Sequence, residues 1–176
     1  MCRLLIFILL AAAVLPGCAS APGREIVVRL DDALMASASR PTIMVDVIGL
    51  SDAERRRWDA ASISEYWRPG ATLRGAMGER VVSVRFAAER AEPLRIAPDD
   101  RAWAAWRRAG AKWLYVVANL PGGLPDRPGA DDPRRLAVLM HASEWADDAP
   151  YVIEIRRDGV VFLIPSPSEP AAMRAE

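Results

Sequence analysis

Histidine occurs once in the 176 residues, lysine once and cysteine twice. Each scarcity removes a kind of chemistry. His141 alone cannot build a zinc-type site on histidine and cysteine, which takes several such ligands. A Ser-His-Asp arrangement would have to use that same histidine, with Ser143 or Glu144 beside it, and no GxSxG turn presents a nucleophile. A histidine at a strand end is the simpler reading, and no enzymatic activity is expected. Charge is balanced at 23 basic against 23 acidic residues, so the chain lacks the basic surplus that nucleic-acid partners require. All the basic residues except Lys112 are arginine, a skew that genome base composition explains as well as bidentate anion binding does. No apolar run reaches the roughly 20 residues of a membrane span. No internal repeat is present, and Pro121-Gly122-Gly123 lacks the GK[ST] ending of a phosphate loop. The acidic pairs Asp31-Asp32, Asp99-Asp100, Asp131-Asp132 and Asp147-Asp148 match no EF-hand spacing and sit where turns or helix caps use aspartate. No metal or cofactor is expected.

What is present begins at the N-terminus. Arg3 followed by the apolar stretch Leu4 to Val14 has the layout of a secretory leader. Leu15-Pro16-Gly17-Cys18 resembles the lipobox of bacterial lipoproteins, with Leu three residues before the cysteine and a small residue next to it. That resemblance implies that residues 1–17 are a signal peptide and that Cys18 is acylated and anchors the mature chain in membrane lipid. Ala19 and Ser20, with no Asp after the cysteine, are similar to the pattern that sorts lipoproteins to the outer membrane. More than one acyl chain holds such an anchor stably where a single chain would be marginal. Residues 18–23 then form a short tether, because Ala19 to Gly23 at about 3.5 Å per residue reach less than roughly 20 Å. With Cys2 removed and Cys18 acylated no disulfide can form, so packing alone must hold the domain in an oxidising compartment.

Residues 24–165 read as one domain, and 166–176, PSEPAAMRAE and its neighbours, as a disordered tail. REIVVRL puts Ile26, Val28 and Leu30 in phase at period two, and TIMVDVIGL does the same for Ile43, Val45 and Val47 with Asp46 on the opposite face. Asp31 to Arg40, between them, reads as a loop closed by Pro41. Ser51-Asp52-Ala53-Glu54 is a capping box opening a helix through Trp58, which breaks near Ala61 to Ser64 before a further turn at Glu65 to Trp67. Pro69-Gly70 ends it. Arg55, Arg56 and Arg57 are interleaved with acidic residues and read as a solvated helix face. Strands follow at Glu79 to Phe86 and, shorter, at Pro93 to Ile96; then PDDRAWAAWRRAG is a helix stopped at Gly110. KWLYVVANL is the most apolar strand and so central. Pro121 to Pro133 is a long loop, Arg134 to Met140 a strand, and Asp158-Gly159 the turn of a final hairpin.

About seven short strands with turn signals between them predict a mainly β protein, an antiparallel β-sandwich with two inserted helices; the alternative is an α+β layer with both helices on one face of a single sheet. The six tryptophans are expected in the core and under the helices.

The lipobox, REIVVRL, SRPTIMVDVIGL, the aromatic helical stretch WDAASISEYW and WLYVVANL together resemble the TssJ family, the outer-membrane lipoproteins of the type VI secretion system. The resemblance spans residues 18 to about 120, and the helix PDDRAWAAWRRAG and the long loop after Leu120 are additions to it. It implies a transthyretin-like β-sandwich acting as a non-enzymatic scaffold at the periplasmic face of the outer membrane. It also implies a partner, the periplasmic domain of the inner-membrane protein TssM, contacted through the loop between the first two strands. By position that loop carries Leu34, Met35 and Arg40 as contact residues, although two apolar side chains in a polar loop could equally tuck into the end of the sandwich. The alternative function is an envelope lipoprotein that binds a small ligand at the loop Pro121 to Pro133 beside Trp113 or Trp145.

Overall fold

A computed structural model describes residues 23–39, 41–140 and 149–163. Among the described residues, eight strands form two four-stranded sheets packed face to face. The first holds β1 (Ile26–Leu30), β4 (Leu94–Ile96), β7 (Tyr151–Ile155) and β8 (Val160–Leu163) in the order β4-β1-β7-β8. The second holds β2 (Ile43–Leu50), β3 (Val81–Phe86), β5 (Trp113–Ala118) and β6 (Arg135–Leu139) in the order β3-β2-β5-β6. KWLYVVANL is therefore an inner strand, as its unbroken apolar character requires. The short run before Ile96 is a true strand, paired with β1 through Ile26 and Ile96.

The sandwich is not antiparallel throughout. β1 and β7 run parallel, from Ile26 opposite Tyr151 to Leu30 opposite Ile155. Parallel neighbours need a long crossover, and here the whole second sheet lies between them in sequence.

The inner faces supply one core: Ile26, Val28 and Leu30 meet Val45, Val47, Val116 and Ile153 between the sheets. A second core covers the outer face of the second sheet, where Ile48, Leu50, Tyr115 and Val117 lie under Trp58, Ile63 and Tyr66. Those three come from α2 (Asp52–Asp59) and α3 (Ile63–Tyr66), separated by the expected break. The capping box is complete: Ser51 accepts from the Glu54 amide while Glu54 accepts from the Ser51 amide at 3.0 Å. Trp58 sits 5.2 Å from Tyr66 and 5.5 Å from Tyr115, ring centre to ring centre. A short α4 (Thr72–Gly75) and a 3-10 turn at Gly78–Arg80 follow, so β3 begins two residues later than its sequence pattern suggests.

The second long helix, α5 (Arg101–Arg108), closes one end of the sandwich with Trp103 and Trp106. Two glycines admit it. A Cβ on Gly23 would stand 2.4 Å from the Pro98 carbonyl oxygen, and one on Gly49 would stand 2.4 Å from the Trp106 ring. The loop after β1 is more ordered than expected, forming the single turn α1 (Asp32–Met35), with Asp31 accepting from the Leu34 amide at 2.8 Å.

The final hairpin turns one residue earlier than the Asp-Gly signal indicates. Ile155 pairs with Val160 and Arg156 with Gly159, leaving Arg157-Asp158 at the tip. Gly159 is not needed there for a left-handed conformation, since it has no positive φ. Its hydrogen makes room for Pro133, whose carbonyl oxygen would be 3.2 Å from a Cβ.

Candidate functional site

The sequence singles out Cys18, Leu34, Met35 and Arg40. Cys18 and Arg40 lie outside the described residues, as do the tail 166–176 and the His141, Ser143, Glu144 and Trp145 considered above. The structure divides the remaining pair. Leu34 is 1 % exposed and belongs to the core between the sheets, whereas Met35 is 40 % exposed, one of two large apolar side chains so placed among the described residues. The tucked reading thus applies to Leu34, and Met35 is the large apolar side chain that the described part of the loop exposes.

β1 fixes where that surface is. Its first end follows Gly23, packed against Pro98 and Trp103. Its second end runs into α1, where the Asp31 amide donates to the Ile155 carbonyl at 3.0 Å. Met35 is therefore at the end of the sandwich opposite the one where the chain enters. The Arg156–Gly159 turn, following Ile155, shares that end, and so does the start of β2, where Ile43 pairs with Phe86.

The loop Pro121 to Pro133 is not assembled beside Trp113. Trp113 opens β5 and the loop leaves after its far end, about five residues away at about 3.3 Å each. Trp113 is also engaged, donating to Asp52 at 2.8 Å with the Arg55 guanidinium stacked 3.9 Å over its ring. The loop itself is tied down by charge. Asp132, fully buried, accepts from Arg134 Nε at 2.9 Å and Nη2 at 2.6 Å and from the Arg127 amide at 3.1 Å. Arg134 also reaches Asp126 at 2.5 Å, which accepts from the hydroxyl of Ser62 and from Ser64. Arg135 lies 3.7 Å from the same Asp132 carboxylate and donates to the carbonyls of Trp58 at 2.7 Å, Ala61 at 2.9 Å and Arg127 at 2.9 Å, closing the open end of α2. Burial would raise both carboxyls, but these hydrogen bonds outweigh it and hold Asp126 and Asp132 below the usual carboxylate range. The Arg134-Arg135 pair reads in sequence only as a strand start; its position directly after Asp-Asp-Pro is the signal that the charges are paired.

A second buried charge centres on β2. Asp46, 0 % exposed, accepts from Tyr66 Oη at 2.6 Å, Ser83 Oγ at 2.5 Å, Arg74 Nε at 2.7 Å and Arg74 Nη2 at 3.3 Å. The hydrogen bond to Asp46 raises the Arg74 pKa; burial, with the Asp46 charge beside it, pushes the Tyr66 phenol far above its ordinary value. Beside Arg74 an open groove of about 570 Å³ is lined by Trp67, Gly70, Gly75, Val81 and Ser83. The period-two pattern puts Asp46 on the face opposite Ile43, Val45 and Val47, and that face is covered by the helical layer. Among the described residues no group of three or more His, Cys, Asp or Glu is placed to hold a metal ion.

Comparison with solved structures places the fold. A chain described as "Type VI membrane complex" superimposes with a TM-score of 0.53 at 18% identity, covering 81% of this chain and 98% of that one. The chain shares its fold. A second, "T6SS protein TssM C-terminal domain (869-1107) from EAEC", gives a TM-score of 0.50 at 19% identity with the same coverage. "Crystal structure of the T6SS lipoprotein TssJ1 from Pseudomonas aeruginosa" is a more distant match, with a TM-score of 0.42, 13% identity and coverage of 83% and 100%. No family model matches the sequence, and no curated protein does. The β-sandwich implied by the TssJ resemblance is the fold observed.

Proposed function

We propose that the chain is a non-enzymatic, lipid-anchored docking protein of the type VI secretion envelope complex. Cys18 holds it in the outer membrane, and the end bearing Met35 takes the periplasmic domain of a TssM-like inner-membrane protein. The observation that carries the reading is the run of β1. It leads from Gly23, five residues after the acylated cysteine, straight to α1, so Met35 is presented away from the bilayer. The fold shared with a type VI membrane complex supports the same role.

The test is calorimetric titration of the chain from Ala19 onward, which keeps every described element, with the purified periplasmic domain of the TssM-like protein from the same cell. Met35→Asp should weaken binding about tenfold or more, the effect of losing one central apolar contact. Leu139→Asp, equally exposed at 39 % but on β6, should leave it unchanged. Equal affinity of the Met35 variant, or no binding by the unaltered chain, overturns the proposal.

A further inference from the structure

We propose that the groove beside Arg74 is a second docking site, taking an extended acidic segment of another polypeptide as an added strand on β3. Three independent features meet there. β3 ends its sheet, hydrogen-bonded only to β2 among the described strands. Such an edge presents unpaired backbone groups that natural sheets block with proline, bulges or charge. VVSVRF has no proline, and its one charge is Arg85. The edge is open to a strand, and Arg85, exposed and without an ion pair among the described residues, selects against basic ones.

The groove runs along the outer side of this same strand, where Val81 and Ser83 form one wall. Three glycines, Gly70, Gly75 and Gly78, are among its lining residues. A Cβ built on Gly70, Gly75 or Gly78 meets nothing within 4 Å. At about 570 Å³ it has the size of ordinary ligand sites, room for one or two side chains of an added strand.

Arg74 gives the groove its chemistry. Nε and Nη2 are committed to Asp46, which is itself satisfied by Tyr66 and Ser83, so the guanidinium is held in one orientation. Its side chain remains 38 % exposed on the groove side, with Nη1 the nitrogen left over for a carboxylate. A buried carboxylate is a poor source of stability and a good way to fix a cation. Strand pairing supplies affinity through the backbone, and the Arg74 and Arg85 charges supply the preference for Asp or Glu.

A random decapeptide library is selected against the chain from Ala19 onward. The enriched peptides should carry Asp or Glu among alternating β-branched or aromatic residues, and binding them should slow amide exchange along β3. Gly75→Leu adds a side chain to the groove lining without backbone strain, since Gly75 lacks a positive φ and a Cβ there meets nothing within 4 Å beyond its chain neighbours. It should weaken peptide binding about tenfold or more, as should Arg85→Glu, while Met35→Asp leaves it unchanged. Peptides without acidic bias, unaltered binding to the Gly75 variant, unchanged β3 exchange or no enrichment at all would each overturn the proposal. The response to Met35→Asp separates its failure from that of the TssM-like docking reading.

Discussion

Asp46 shows how a single side chain can escape a period-two reading. Its alternation with Val45 and Val47 puts it on the far face of β2, which looks like the solvent face. Yet Ile48 and Leu50 share that face, and three residues at i, i+2 and i+4 of which two are apolar imply a covered surface. The cover is the helical layer, and Tyr66 and Arg74 come from it. Neither could be paired with Asp46 from sequence, because the partners lie 20 and 28 residues away across two short helices. Arg74→Ala strands the carboxylate without its cation. Since the arginine is partly solvated, a loss of about 2 to 3 kcal/mol is expected, at the lower edge of what breaking a buried pair costs. Urea unfolding followed by tryptophan fluorescence reads it.

At the scale of elements, local chemistry was legible where one short stretch decides the outcome. The Ser51-Glu54 capping box, a break after α2 and the stop at Gly110 all depend on residues within a turn or two, and the structure has them, although the next turn resumes at Ile63, two residues before the expected Glu65. What sequence could not supply was contact between distant pieces. Gly49 lies inside a strand for no local reason; it is there because Trp106 of α5 lies against it. Gly49→Ala should therefore cost about 1 to 3 kcal/mol through overpacking, measured as a fall in the urea midpoint. Gly159 misled for the same reason: a turn signal by sequence, it is in the fold a gap left for Pro133. The single turns α1 and α4 were missed because four residues carry too little periodicity to declare a helix.

Across the whole molecule, the mainly β character and the central place of KWLYVVANL followed from strand patterning and turn signals, which left a single sheet as the alternative to two layers, whereas the parallel pairing of β1 with β7 is a long-range choice that no local signal encodes. Of the candidate docking loop, its place between the first two strands was legible; the inward turn of Leu34 was not. The long loop is welded to the helical layer by carboxylates whose folded-state pKa values are depressed. A depressed carboxylate contributes stability above its unfolded pKa, about 3.9, and that contribution is lost as pH falls through the folded value. Stability should thus decline below about pH 4 as Asp132 and Asp126 take up protons. Asp132→Asn should lower the melting temperature at pH 7 and flatten its dependence on pH below 4, as differential scanning calorimetry at stepped pH would record.

β1 joins the entry point at Gly23 to the turn bearing Met35 in one extended stretch of backbone. If the membrane holds one end and a partner the other, tension between them travels along covalent bonds already drawn nearly straight. The sandwich around β1 then works as a splint that keeps the strand taut, so a pull between the proposed anchor and the proposed docking end is carried along this connection and not by the hydrophobic core.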